Sequence, residues 1–474
     1  MLSLELIDSE LVLARLRDDA LEQLAAAPGI ALLEDQAILT GEPAARRVRL
    51  RPLFAHTNYW RTLSTTPLVR PSRLVNTSAD LAFAQAEALL GPHAAAEQLL
   101  LAVPAGYSRE QLGLLLGVIG ETGIRVAGLV DAALAASSLL PAPARVLHLD
   151  LELHQAILTV LEHVGGERGG LRRSRYEIAP RQGVLALQQT WMRFIAEQFV
   201  RKTRFDPLHH AASEQRLVDE LPGWLALLAD QERIVLAMQS GERCLEVELE
   251  KAQFIAAALP HYAELRRLIQ GARIAGLPVE LYLSQRIASL PGLLQQFEDL
   301  RDCSVRVLPS GAAALGALRH ASAIVRPADA LALVYQLPVP RAADTGTADI
   351  GGGPDTSDTA GSTPAALRPT HVMFQGRAWR ISEQPLQVGW SVQAPGRALP
   401  LPDRSPGVSR LHCTLLRRNG SVLIEDHSTY GSYVNEERVV GRTALAVGDR
   451  LRLGTPGITL ELIQLVDDDG TPQD

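Results

Sequence analysis

Three short runs near the end of the sequence gather side chains suited to gripping a ligand. Val408-Ser409-Arg410-Leu411-His412 sets a hydroxyl, a guanidinium and an imidazole close together. Asp426-His427-Ser428-Thr429-Tyr430-Gly431-Ser432-Tyr433-Val434-Asn435 adds hydroxyls and aromatic rings, and Gly448-Asp449-Arg450-Leu451-Arg452-Leu453-Gly454 closes the series. These groups recognise through hydrogen bonds and charge, and no Ser/His/Asp or Cys/His arrangement for bond breaking is recognisable anywhere in the chain. Other chemistry-bearing residues have plainer readings. Gly165-Gly166-Glu167-Arg168-Gly169-Gly170 follows a strand but opens no helix, so it reads as a mobile turn and not a phosphate loop. His209-His210 has no further ligand residue nearby and makes no metal site. Cys244, Cys303 and Cys413 show no metal or disulfide spacing and read as buried free thiols.

Composition narrows the classes. The chain has 474 residues, 47% hydrophobic and 21% charged, which suits about three soluble globular domains. No run approaches the roughly 18 apolar residues of a membrane span and no leader segment is evident, so a cytoplasmic protein without membrane insertion is expected. A net charge of −7 gives nucleic acid no electrostatic footprint. The only lysines are Lys202 and Lys251, and neither stands in a Gly-Lys-Ser/Thr sequence, which excludes a Walker-type phosphate loop.

The elements that must position these residues fall into two regions. Residues 341–370 are rich in Gly, Ala, Thr, Asp and Pro with almost no large apolar side chain. Such a segment cannot bury enough surface to offset its ordering entropy, and it reads as a flexible linker. Its Thr345, Thr347, Thr356 and Thr359 lie among acidic residues as conceivable phosphorylation sites. Before it, strands interleave with helices: a starting hairpin over Leu2–Ile7 and Leu11–Leu16, a strand at Gln98–Pro104, a helix from Ser108 with Gln111 at the capping-box position, two strands over Arg145–Leu161, a helix at Leu185–Lys202, a strand at Val279–Leu283 and an alanine-rich helix at Ser310–His320. After it, short strands recur every eight to twelve residues from Val372 to Leu465, with Asn419-Gly420 as a hairpin turn, the pattern of a β-sandwich. The last residues, 467–474, form an acidic tail.

Order and spacing of the three C-terminal runs resemble a forkhead-associated (FHA) domain, a β-sandwich whose loops bind phosphothreonine peptides. The resemblance implies that Gly389, His412, Gly431 and Asn435 brace the loops, with Arg410 also chiefly a brace, and that Ser409 supplies the phosphate-contacting hydroxyl. Ser428 and Thr429 keep the third loop. Two ligand-facing positions depart from the family. Trp390 stands where an arginine grips phosphate, and Tyr430 stands where an asparagine orients the peptide backbone. Arg397, in the insertion that follows, is a candidate to reach back, with Arg404 and Arg410 as others. Two readings stay open: an unphosphorylated protein surface bound through Trp390 and Tyr430, residue types favoured at interface hot spots, or phosphothreonine held by Ser409, Thr429 and a displaced arginine.

Five segments of the first region resemble, in order, the actin-like nucleotide-binding domain of heat-shock chaperones of the DnaK type. Ile38–Ala45 is similar to "VGEAA", Leu101–Tyr107 to "ITVPAYF", Asp131–Ala136 to "EPTAAALA", Leu149–Glu162 to "FDLGGGTFDVSVLE" and Gly311–Ala317 to "EAVAIGAA". The departures lie where glycines admit ATP phosphates to the backbone. "DLGTT" becomes Asp8-Ser9-Glu10-Leu11-Val12, "DLGGGT" becomes Asp150-Leu151-Glu152-Leu153-His154-Gln155, and "GGSTRMP" becomes Ser284–Pro291 without glycine. Glu10 and Glu152 would repel a polyphosphate, and Asp8 and Asp150 are the acids left of a degenerate nucleotide site.

The expected architecture is therefore an α/β, two-lobed, actin-like ATPase-type domain at 1–340, a linker at 341–370, an all-β FHA sandwich at 371–466 and a tail. A bacterial-type, non-enzymatic scaffold is expected, without ATP, magnesium or other cofactor, whose partner is a protein. Two alternatives carry different signatures. An ATP-binding, chaperone-like ATPase regulated by the FHA domain would be stabilised by ATP, and a polymer-forming assembly protein would show filaments.

Overall fold

The computed structural model describes residues 1–340 apart from 94–97, 166–168, 274–277, 299, 301 and 328–329. From 369 to 464 it describes all but 375–376, 393–396, 403–406, 419–420, 435–436, 440–441, 448 and 455–456. The chain divides into two compact units, Met1–Thr347 and Ala348–Asp474. Thr345, Thr347, Thr356 and Thr359, Arg404, Asn419-Gly420, Asn435 and the acidic tail lie outside the described residues.

The first unit holds two six-stranded sheets that share one order over five strands, beside a two-stranded and a three-stranded sheet. In the first, β1 (Leu2–Glu5), β2 (Leu11–Arg17) and β3 (Ala20–Ala27) form an antiparallel meander. On the other side of β1, β4 (Gln98–Val103) and β5 (Arg125–Asp131) add in parallel. The second sheet repeats this: β6 (Arg145–Leu151), β7 (Gln155–Val164) and β8 (Gly170–Pro180) in a meander, with β9 (Val279–Leu283) and β10 (Cys303–Val307) parallel beside β6. Short strands, Leu333–Val334 on β5 and Gln336–Leu337 on β8, extend each sheet. Central strands read as unbroken apolar runs because both faces are covered, as in the Leu99–Val103 stretch, buried throughout.

Short helices at Ala132–Ser137 and Ala312–Arg319 join the sheets. Alanine and glycine permit their close approach: a Cβ on Gly316 would stand 1.8 Å from the Ala135 carbonyl oxygen. Ile7, Leu100, Val146 and Tyr282 complete the apolar cluster there. The helix from Arg109 to Glu121 begins with the expected capping box, in which the Ser108 hydroxyl accepts from the Gln111 N–H at 3.1 Å and the Gln111 side chain accepts from the Ser108 N–H at 3.0 Å. The Gly165–Gly170 segment joins β7 to β8.

In the second unit, two sheets enclose one apolar core. One runs β11 (His371–Phe374), β12 (Arg377–Arg380), β17 (Ser432–Val434), β18 (Glu437–Arg438), β20 (Arg450–Leu453) and β21 (Ile458–Ile463), in the order β12-β11-β21-β20-β17-β18. The other runs β13 (Leu386–Gly389), β14 (Arg397–Pro400), β15 (Cys413–Arg418), β16 (Ser421–Asp426) and β19 (Arg442–Leu445), in the order β14-β13-β15-β16-β19. Three of these strands, β14, β18 and β19, are too short or too polar to stand out in the sequence.

Two expectations need correction. Cys244 is exposed, on the outward face of the hairpin formed by Arg233–Ser240 and Arg243–Glu250, where alternate residues turn to solvent. Thr370, assigned to the linker, already belongs to the sandwich: its N–H donates to the Ile463 carbonyl at 2.9 Å and its carbonyl accepts from the Ile381 N–H at 2.8 Å. Among the described residues, no helix is long and apolar enough to cross a membrane, and no group of three or more His, Cys, Asp or Glu residues could hold a metal ion.

Candidate functional site

Three loops of the second unit meet around His412. Its buried imidazole accepts the Ser409 N–H on Nδ1 at 3.0 Å, which leaves the proton on Nε2 to reach the Gly431 carbonyl at 3.2 Å. Burial lowers its pKa and keeps it neutral. Its backbone spans the same gap: the N–H donates to Val388 at 2.8 Å, and the carbonyl accepts from His427 at 2.9 Å. Asp426 shapes the third loop, accepting from the Ser428 and Ser432 hydroxyls, each at 2.8 Å. Burial would raise its carboxyl, but those hydroxyls and the Ser428 and Ser432 backbones hold it below the usual carboxylate range. The Ser428 hydroxyl then accepts the Gly431 N–H at 2.8 Å. Gly389 is required by contact, because a Cβ there would stand 2.0 Å from the Arg410 carbonyl oxygen.

On this frame Ser409, Arg410, Thr429 and Trp390 come together. The Thr429 N–H donates to the Ser409 hydroxyl oxygen at 3.2 Å, tying the second loop to the third. The Trp390 N–H reaches the Ser409 carbonyl at 3.4 Å. The Arg410 guanidinium lies over the Trp390 ring, 5.8 Å from its centroid, and among the described residues no carboxylate pairs with it. Trp390 is partly buried against the sandwich core, whereas Tyr430 is 59% exposed.

Arg397 is not part of this constellation. The parallel pairing of β13 with β14 sets Arg397 opposite Leu386 and Pro400 opposite Gly389, so Arg397 stands at the other end of the strand from the loops. There its guanidinium bonds the Ser382 hydroxyl and the Arg380 carbonyl. The pairing of Arg397–Pro400 as a strand keeps this candidate from reaching back to the loops. Sequence reasoning also passed over Arg452, which stacks 4.0 Å from the Tyr433 ring centroid and donates to the Gly454 carbonyl at 2.7 Å, while the Tyr433 hydroxyl supports the Tyr430 carbonyl at 3.3 Å. The alternation Tyr433-Val434 opposite Leu451-Arg452 was the available signal.

The first unit has a cavity of about 320 Å³ between its sheets. Glu10, Asp150, Glu152 and Ser284–Arg286, at the start of the short helix Gln285–Ala288, line it, where the degenerate nucleotide site was expected; Asp8 does not. Instead Asp8 accepts the Leu153 N–H at 2.7 Å, linking the hairpin turn of one sheet to that of the other. Arg286 is the residue whose role was missed. It donates to Glu5 at 2.6 Å and to Asp150 at 3.4 Å. Asp150 also accepts from the Ser284 hydroxyl at 2.6 Å, and Glu5 from the Ala313 and Ala314 N–H groups at 3.1 and 3.3 Å. Burial works against the Arg286 charge, yet Asp150 and Glu5 more than compensate and raise its pKa. A lone arginine in the glycine-free turn was the signal, but its partners lie far away in sequence. Burial, and then the charge of Asp8, push Glu152 up to about 8.

A family model of the FHA domain matches residues 388–454, from the end of β13 through all three loops to Gly454. Comparison with curated proteins finds no match to the chain. The second unit therefore contains an FHA domain over residues 388–454, which supports a protein-interaction or phosphopeptide-binding role.

Proposed function

We propose that this protein is a cytoplasmic, non-enzymatic scaffold whose FHA domain captures a partner through a phosphothreonine, held by Ser409, Thr429 and Arg410. The observation that carries the reading is Arg410. Its guanidinium is exposed, without a carboxylate partner among the described residues, and propped on Trp390 beside the Ser409 hydroxyl. Charge-assisted bonds from such a group to phosphate are roughly twice as strong as neutral ones. The tryptophan that replaces the family's arginine thus positions a different arginine. The competing surface reading needs Trp390 and Tyr430 both offered to a partner, and Trp390 is largely spent on the core.

The first unit fits this reading as a docking platform. Two lobes of one strand order around a cleft support a degenerate actin-like domain. The Glu10 carboxylate, the Glu152 side chain where the family has glycine, and an Arg286 already engaged by two carboxylates disfavour a polyphosphate and hence the alternative of a chaperone-like ATPase. The test is titration of the full chain with phosphothreonine peptides and their unphosphorylated twins. Binding that needs the phosphate and is lost in Arg410→Ala supports the proposal. Equal binding of both forms sinks it.

A further inference from the structure

The cavity of the first unit is lined by buried polar groups with hydrogen-bonding capacity to spare. His148 and Thr159 face each other across the β6–β7 ladder, are 4% and 1% exposed, and line the cavity. No other residue bonds either side chain among the described residues, and neither is sealed from solvent space as the partnerless Ser3 and Ser137 hydroxyls are. Their polar atoms therefore open onto the cavity. Glu152, 5% exposed, spends one carboxyl oxygen on the Gln155 amide at 2.7 Å and, among the described residues, leaves the other without a partner. Glu10, from the hairpin turn of the other sheet, also lines the cavity. The sole cation of the lining among the described residues, Arg286, is engaged by Glu5 and Asp150. What remains is the Glu10 and Glu152 carboxyls with His148 and Thr159, groups able to accept hydrogen bonds, beside apolar side chains that include Ala105, Ala132, Ile157 and Leu308.

We infer that this cavity binds a small organic cation, a guanidinium or primary ammonium group on a short apolar body, with Glu152 and Glu10 facing the charge and His148 and Thr159 accepting its N–H groups. Burial holds the His148 imidazole neutral, so that it accepts and does not repel. A volume of about 320 Å³ fits a small ligand of this kind. An anion would meet no disengaged cation in the described lining, since Glu5 and Asp150 hold Arg286. The inference is independent of the phosphopeptide reading, since it concerns another unit and another ligand.

Binding is linked to a proton. Glu152 faces Asp8, Asp150, Arg61, Gln155 and Tyr107, and burial among them leaves it protonated near neutral pH. An arriving cation displaces that proton, so affinity rises with pH until Glu152 ionises unaided, at about 8.

The experiment is calorimetric titration of the full chain with n-butylguanidinium, which stays charged throughout, against its neutral isostere n-butylurea, at pH 6.5 and 8.5 and in buffers of different ionisation enthalpy. Expected are binding of the cation alone, tighter at the higher pH, with net proton release at the lower. Glu152→Gln should weaken it roughly tenfold or more and abolish the proton release. Glu10→Gln, outside the buried cluster, should also weaken it and keeps the test readable if the first variant does not fold. Binding of neither compound, or of both alike, overturns the inference. So does competition by magnesium-ATP, because a cleft that admits a polyphosphate does not present uncompensated acids.

Discussion

Arg410 and Arg397 are the same chemical group in one domain, and their surroundings give them opposite roles. Arg410 has an aromatic prop and no acid among the described residues, so its charge is available to a ligand. Arg397 has its donors taken by Ser382 and Arg380. Arg410→Ala should therefore cut phosphopeptide affinity roughly tenfold to a hundredfold while leaving the melting temperature nearly unchanged, as charge-assisted bonds to phosphate carry about 1.5–3 kcal/mol. Arg397→Ala should do the reverse, sparing affinity and costing about 1 kcal/mol of stability. Fluorescence anisotropy and thermal melts on the same two variants check both. If Arg397→Ala weakened binding as much as Arg410→Ala, the strand pairing that separates them would not describe the bound protein. Gly389 is a structural counterpart, because its added Cβ would collide with the Arg410 carbonyl oxygen at 2.0 Å. Gly389→Ala should disturb the recognition loop and its binding together.

At the scale of elements, β3 marks where sequence patterns fail. Ala20–Ala27 reads ALEQLAAA, strong helix formers throughout, yet it is a strand paired with β2. The two-residue turn decides this. Asp18 and Asp19 take φ of 51° and 61°, the mirror-image turn whose twist matches a hairpin, and so bring Ala20 opposite Arg17. The double change Asp18→Asn with Asp19→Gly should stabilise the unit by roughly 0.5–1 kcal/mol, since asparagine and glycine meet positive φ with less strain. A denaturant midpoint that did not rise would show the aspartates doing more than turning the chain. Legibility followed the same logic elsewhere. Strands with apolar alternation, the capped helix at Ser108 and the loop-bracing His412 were readable because local pattern and final environment agree. The Arg286 cluster was not, because Glu5, Asp150 and Arg286 meet only once two distant turns close on one cavity. The Arg397 strand was not, because four residues ending in proline give no period to read.

For the whole molecule, the two units should respond differently to alkali. Each has its own apolar core, residues 372–462 in one and residues before 340 in the other. In the first unit Glu152 is raised to about 8, above its unfolded value, so its stabilising protonated form is complete in acid and is lost as pH climbs through about 8. Asp8, raised to about 6 by burial, adds to the loss below neutrality. The buried His148 and the half-buried His154 have lowered values and act in the opposite sense, but they are already neutral above pH 7. Glu152 is thus raised into the window from pH 7 to 8.5, and Glu5, also raised by burial, acts in the same sense. In the second unit, Asp426 and His412 are both lowered, so each loses stability only as pH falls. Calorimetric melts of the full chain at pH 7 and 8.5 should show the first-unit transition drop by about 1 kcal/mol while the FHA transition holds still. Glu152→Gln should abolish the drop and leave the variant more stable than the parent at pH 8.5. A parallel fall of both transitions would place the titrating group elsewhere and remove Glu152 from the role of buried acid.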